Sequence, residues 1–265
     1  MSNLKTYTPP LHQMAQLPVA IDYPAALALR QMALAHDDYP KYLLAPEVSA
    51  LLHYIPDLYR QTLMATLWNT GARINEALAL TRGDFTLAPP YPFVQLATLK
   101  QRTEKAMRTA GRSPAGSIPN RIVPLSDLQY VSQMQTMVAT LKIPMERRNK
   151  SSGRIERASI WTVTDRTVRS WLNEAVELAN ADGVYFSVPV SPHTFRHSYA
   201  MHMLYAGIPL KVLQSLMGHR SVSSTEVYTK VFALDVAARH RVQFTMPGNE
   251  AVSLLKQIPQ SGKDY

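Results

Sequence analysis

The chain of 265 residues predicts a mainly α-helical fold with one small antiparallel β-hairpin. Three observations carry this. Apolar residues recur at helical spacing in segment after segment, as at Val48, Leu51, Leu52 and Ile55. Pro, Gly, Ser and Asp stand at the ends of those segments, where they start or stop helices. Strand-like alternation is confined to Pro92–Leu99, with Arg121–Leu125 reading as the returning strand.

Taken in order, Pro24 opens a helix with Leu27 and Leu34 seven apart, which Asp37, Asp38 and Pro40 end. It is too short to build a core of its own. Pro46 starts the next helix and Pro56 stops it. Leu58–Asn69 follows, with Leu63 and Leu67 inward, until Thr70 and Gly71 break it. Ile74, Ala77 and Leu78 continue as a short helix. After the hairpin, Asp127–Leu141 is a helix with Val131, Met134 and Val138 inward. Glu146–Arg157 reads as a charged Gly/Ser loop. Thr164 or Asp165 caps a helix to Ala181 that buries Val168, Leu172, Ala175 and Val176, over Trp161.

Composition narrows the function classes. At 46% hydrophobic the chain can build a real core. No apolar run approaches the ~20 residues of a membrane span, and MSNLKTYTPP lacks a signal-peptide pattern. The absence of cysteine excludes disulfides, a thiol nucleophile and Cys-ligated zinc, and fits a cytoplasmic protein. The net charge of +9 is not spread evenly: residues 100–169 hold 14 Lys and Arg against 5 Asp and Glu, and the rest is balanced. A basic block on a neutral frame points to a polyanion, most simply nucleic acid. Its basic residues, Arg102, Lys105, Arg108, Arg112, Arg121, Arg147, Arg148, Lys150, Arg154, Arg157, Arg166 and Arg169, are the expected DNA contacts.

The chemistry gathers between Ser191 and Tyr228. Ser191 and Pro192 read as N-cap and first residue of a helix that Gly207 stops. Phe195, Tyr199 and Met203 face its core, while His193 and Arg196 share another face, with His197 beside them. Pro209 opens a second helix with Val212, Leu213 and Leu216 as its apolar face, and Gly218 ends it at His219. Ser223 or Ser224 caps a third helix carrying Tyr228. Arginine offers a fork of donors matched to phosphate oxygens. Histidine moves protons near neutral pH, and tyrosine can act as a covalent nucleophile. Upstream, Arg73 and Glu76 are three apart, so the carboxylate can fix the guanidinium. His193 and His197 have the i,i+4 spacing of zinc ligands, but no Glu lies between them and no third ligand is evident; no metal or cofactor is expected.

TGARINEALAL, HTFRHSYA, LMGH and STEVYT, in that order, resemble the tyrosine recombinases, or phage-integrase family, and within it the plasmid-borne resolvases. The likeness runs from about Leu44 to His240 and implies that family's catalytic-domain fold. It places Arg73, His193, Arg196, His219 and Tyr228 in the catalytic set, with Glu76 and His197 in support. It also implies a lysine on a β-hairpin, for which Lys100 is the best match and Lys105 a neighbour. The sequence departs here, with about twenty residues between Lys100 and Arg121 where the family has a short turn. A second departure is at the front, where about 43 residues stand in place of the family's helical DNA-binding domain. The expected organisation is therefore an arm at residues 1–43, a catalytic domain at 44–245 and a tail at 246–265 that docks on a neighbouring protomer or folds back on its own domain.

The resemblance implies strand exchange at a double-stranded DNA site, without metal or nucleotide, through a 3′-phosphotyrosine bond and in a tetrameric synapse. His193 is the expected proton acceptor for Tyr228, Arg73 and Arg196 neutralise the phosphate, His219 donates to it, and Lys100 protonates the leaving 5′ oxygen. Multimer resolution, integration and excision stay open. So do a type IB-like topoisomerase and a DNA-binding regulator on the same fold.

Overall fold

Proline, glycine and short polar caps divide the chain into helices much as their positions dictate. The computed structural model describes residues 19, 22–34, 39–97, 120–149, 153–219, 221, 223–240 and 246–257. Helix α1 is Tyr23–Leu34, α2 Ala45–His53, α3 Leu58–Thr70 and α4 Ile74–Leu78. Strands β1 (Phe85–Thr86), β2 (Phe93–Ala97) and β3 (Asn120–Pro124) follow, then α5 (Leu128–Thr140). Strands β4 (Glu146–Arg148) and β5 (Ile155–Arg157) precede α6 (Asp165–Ala181), α7 (Pro192–Tyr205), α8 (Leu210–Met217), α9 (Ser223–His240) and α10 (Gly248–Gln257).

Local chemistry accounts for the ends. Asp57 accepts from the Arg60 N–H at 2.8 Å to cap α3, Asp127 caps α5, and Thr164 caps α6. Helix α3 stops at Gly71, which takes the left-handed conformation with φ 58°.

Two apolar clusters hold the elements together. The larger joins α2, α3, α5 and α6 to the sheet through Val48, Leu63, Leu67, Leu96, Val123, Met134, Leu172 and Trp161. The smaller unites α1, α7, α8 and α9 through Ala26, Tyr199, Leu204, Leu213, Met217 and Tyr228. The N-terminal helix thus shares a core with the helix that carries Tyr228. Its anchor is Arg30, almost fully buried, which pairs with Glu47 and donates to the Tyr42 carbonyl at 2.9 Å and to Ser187 Oγ at 2.7 Å. Stranding that guanidinium without partners would be costly, so α1 is locked in place.

The first sheet has the order β1-β2-β3, all antiparallel, with Val94 opposite Val123 and Leu96 opposite Arg121. The sequence reading differs at three points. Two-residue β1 is too short to show alternation. The segment 146–157 is a hairpin rather than a loop; every residue of β4 and β5 is exposed, so neither strand has an apolar face to read. Helix α8 buries Leu213, Gln214 and Met217, the face that packs among α7, α9 and β3, while Val212 is exposed.

Candidate active site

The N-terminal half of α7 supplies three polar groups to one place. Ser191 Oγ accepts from the Thr194 N–H at 3.2 Å, which fixes the helix start. From there the 3.6-residue repeat puts His193, Arg196 and His197 on one face, while Phe195 and Tyr199 enter the core. Arg196 is buried. It donates through Nη1 to the Gly71 carbonyl and through Nη2 to the Met217 carbonyl at 2.6 Å. One guanidinium thereby joins the α3–α4 junction to the end of α8.

Arg73 stands at the N-cap of α4 with extended backbone, just outside the helix. Glu76 accepts its N–H at 3.0 Å and its Nη1 at 2.9 Å, so the carboxylate caps the helix and orients the guanidinium together. Helix α8 ends at Gly218, φ 63°, and the reversal brings His219 back over α9, where Nδ1 lies 2.8 Å from the Thr225 hydroxyl. Tyr228, 2% exposed, places its hydroxyl 2.9 Å from His197 Nδ1. Arg73, Glu76, Arg169, His193, Arg196, His197, His219 and Tyr228 line one open cavity of about 590 Å³.

Burial and positive charge set the protonation states. Desolvation, reinforced by His193, Arg196 and His219, drives the His197 pKa down to about 3. His219 falls to about 4, by burial and then by Arg196 and Arg73, and His193 is lowered for similar reasons. All three histidines are therefore neutral near pH 7. Burial raises Tyr228 to about 12 against the pull of Arg196 and Arg73. Tyr228 keeps its proton and, with neutral His197, shares one hydrogen bond. Burial alone would raise the Glu76 pKa, but Arg121 and Arg73 hold it lowered, so the carboxylate is charged. An arriving phosphodiester would raise the histidine pKa values, because its negative charge favours their protonated forms.

The structure brings together Arg73, Glu76, His193, Arg196, His197, His219 and Tyr228, corrects the assignment of Arg121, and pairs the Tyr228 hydroxyl with a histidine other than the one expected to take its proton. The hydroxyl of Tyr228 bonds to His197, not to His193; residue 193 sits one turn earlier on α7, its ring 4.3 Å from that of His197. Arg121 is not a surface contact: it is 8% exposed and bonded to Glu76 and to the Leu216 carbonyl. Arg147, Arg148, Arg154, Arg157, Arg166 and Arg169 are exposed. Arg157 lies 3.6 Å from Asp84, and Arg169 pairs with Asp165 while lining the cavity. Lys100, Arg102, Lys105, Arg108, Arg112 and Lys150 lie outside the described residues.

A buried tyrosine hydroxyl among two arginines and three neutral histidines is equipped for phosphoryl transfer through a covalent phosphotyrosine. Residues 41–234 match the phage integrase family, and the chain belongs to it. A protein named resolvase from Escherichia coli K12 is 80% identical over 246 residues, covering 93% of this chain and 92% of that protein. A probable site-specific recombinase in the afa region of Escherichia coli is 48% identical over 249 residues, covering 93% and 94%. Tyrosine recombinase XerD of Corynebacterium glutamicum is 30% identical over 210 residues, covering 79% of this chain and 58% of that one. Among solved structures, XerA recombinase aligns with a TM-score of 0.53 at 22% identity, over 83% of this chain and 76% of its own. XerH recombinase in its post-cleavage complex with palindromic difH aligns at 0.54 and 18%, over 77% and 53%. These two likenesses show the fold. The chain is a site-specific tyrosine recombinase that cleaves and rejoins DNA strands, and neither relaxation alone nor binding alone is favoured.

Proposed function

We propose that this chain exchanges strands at a duplex DNA site with Tyr228 as nucleophile, the reading supported by the convergence of Arg73, His193, Arg196, His197, His219 and Tyr228 on one cavity. Tyr228 Oη attacks the scissile phosphorus. A bond forms between that oxygen and phosphorus, and the bond from phosphorus to the 5′ oxygen breaks. The phenolic proton passes to His197, which it already faces. Arg73 and Arg196 neutralise the charge that builds on the pentacoordinate phosphate, each worth on the order of 10²–10³ in rate. His193 and His219 hydrogen-bond its oxygens. Lys100 protonates the departing 5′ oxygen. The 3′-phosphotyrosyl bond keeps the phosphodiester energy until a 5′-hydroxyl from a partner strand reverses the step.

The test is cleavage of nicked site DNA from the native replicon with chelator present and no nucleotide. The expected product is protein joined to the 3′ end of the cut strand through Tyr228. A 5′ linkage or a hydrolysed end overturns the proposal.

Duplex binding falls to the basic block. The β4–β5 hairpin presents Arg147, Arg148, Arg154 and Arg157 to solvent. Binding is expected to weaken with salt by roughly 0.9 log units per phosphate contact per decade. Neutralising those four arginines together should flatten the slope, measured by fluorescence anisotropy in a salt series. An unchanged slope would turn this hairpin away from DNA. Assembly is tetrameric in this proposal, with α10 docking on a neighbour through its exposed Val252 and Leu254; the outcome in the cell is resolution of plasmid multimers.

A further inference from the structure

Strand β3 is inverted relative to what an edge strand should present. Its alternation turns Arg121 and Val123 inward, while Ile122 faces solvent at 59% exposure. An arginine placed inside must be matched by partners. Arg121 Nη2 donates to Glu76 Oε2 at 2.6 Å, and Nε donates to the Leu216 carbonyl at 2.8 Å. Nη1 is buried with no hydrogen-bond partner among the described residues. It lies against Gly218, where a Cβ would come within 3.1 Å of both Arg121 Cδ and Nη1.

These contacts reach both rims of the cavity. On one side Glu76, its side chain 1% exposed, divides its oxygens between two guanidiniums: Oε1 takes Arg73 Nη1, and Oε2 takes Arg121 Nη2 together with the Arg73 backbone N–H at 3.0 Å. Arg73 remains about one-third exposed toward the cavity. On the other side, the Leu216 carbonyl belongs to the last turn of α8, two residues before the glycine that aims His219.

We propose that Arg121 is a positioning residue for phosphodiester cleavage: it holds Glu76 Oε2 away from the Arg73 guanidinium and pins the α8 end. A carboxylate and a guanidinium left to themselves favour a two-point contact. Without Arg121, Glu76 Oε2 is free to join Oε1 on the Arg73 guanidinium, turning its donors from the cavity and cancelling more of its charge. The released Leu216 carbonyl loosens the turn before His219. A lone buried ion pair is weak evidence of a purely stabilising role, and this one is shared with a residue of the phosphate site. The proposal rests on Arg73 acting on the scissile phosphate.

The experiment compares R121Q, R121K and R73A with the wild-type protein in single-turnover cleavage of nicked site DNA, alongside DNA affinity and thermal melting. The expected result for R121Q is a loss on the order of 10²-fold in cleavage rate, the scale of an ångström-sized misplacement, with affinity within about threefold. R121K keeps the charge but not the fork and should fall between. The deciding arm uses a substrate whose scissile phosphate is an uncharged methylphosphonate. It needs less charge neutralisation, so the deficit of R73A and R121Q relative to wild type should shrink together. Shrinkage in R73A but not in R121Q would make Arg121 merely structural and overturn the proposal, as would wild-type cleavage in folded R121Q. If R121Q does not fold, R121K decides by the same comparison. Wild-type adduct on the normal substrate, scored in parallel, separates failure of this proposal from failure of the Tyr228 mechanism.

Discussion

Tyr228→Phe is expected to fold, bind DNA and form no covalent adduct. The phenyl ring keeps its place in the cluster shared by α1, α7, α8 and α9, since Tyr228 is 2% exposed and nearly all of its surface is ring. What is lost is one oxygen and its hydrogen bond to His197 Nδ1 at 2.9 Å. Stability should fall by about 1 kcal/mol, the usual net worth of one such bond. The adduct should fall below detection, because nothing else at that position can attack phosphorus. Denaturing gels with end-labelled DNA measure it. Surviving adduct would transfer the role to another tyrosine, and the structure makes the nearby ones poor substitutes. Tyr199 packs its ring on Gly71, and Tyr205 faces the Tyr42 hydroxyl at 3.1 Å; neither lines the cavity.

What was legible in the sequence was what local chemistry decides. Ser191 and Pro192 fix the start of α7, and the helical repeat then dictates that His193, Arg196 and His197 share a face. Gly218 announces its own turn, and with it the place of His219. The hidden features depend on partners distant in the chain. Which histidine meets Tyr228 is set by how α9 lies across α7, 31 residues apart, and no spacing within α7 distinguishes the two. Arg121 reads as a surface cation until its strand is known to face Glu76, 45 residues away. A signal was present in the apolar Ile122 beside it, since strict alternation puts one of the two inward. Arg30 is similar: Leu27 packs against the core as its helical spacing suggested, but the fully buried positions beside it are Ala26 and Arg30, the arginine being balanced by Glu47. Buried charge pairs are invisible to hydropathy because each member alone looks solvated.

Gly71→Ala should be the most damaging single-methyl change in the described structure. The residue carries three demands at once. It closes α3 in the left-handed region, φ 58°, where an L-residue costs roughly 1–2 kcal/mol. A Cβ there would sit 2.3 Å from Tyr199 Cδ1 and 2.9 Å from Cγ and Cε1, inside a ring that is itself buried. That ring belongs to α7 and cannot swing away, so the helices must separate, an overpacking cost of about 1–3 kcal/mol. The Gly71 carbonyl also receives Arg196 Nη1, so any separation moves the phosphate-binding arginine. Together these predict a loss of about 2–5 kcal/mol from a total stability of roughly 5–15 kcal/mol, with cleavage falling further than DNA binding. Gly207→Ala is the control: its φ is 81°, yet no described residue lies within 4 Å of the added carbon, so it carries backbone strain alone. Urea melts of the two variants, read beside adduct formation, separate the terms. If Gly71→Ala costs no more than Gly207→Ala and cleaves normally, the contact with Tyr199 does not set the distance between α3 and α7, and the route from that contact to Arg196 fails.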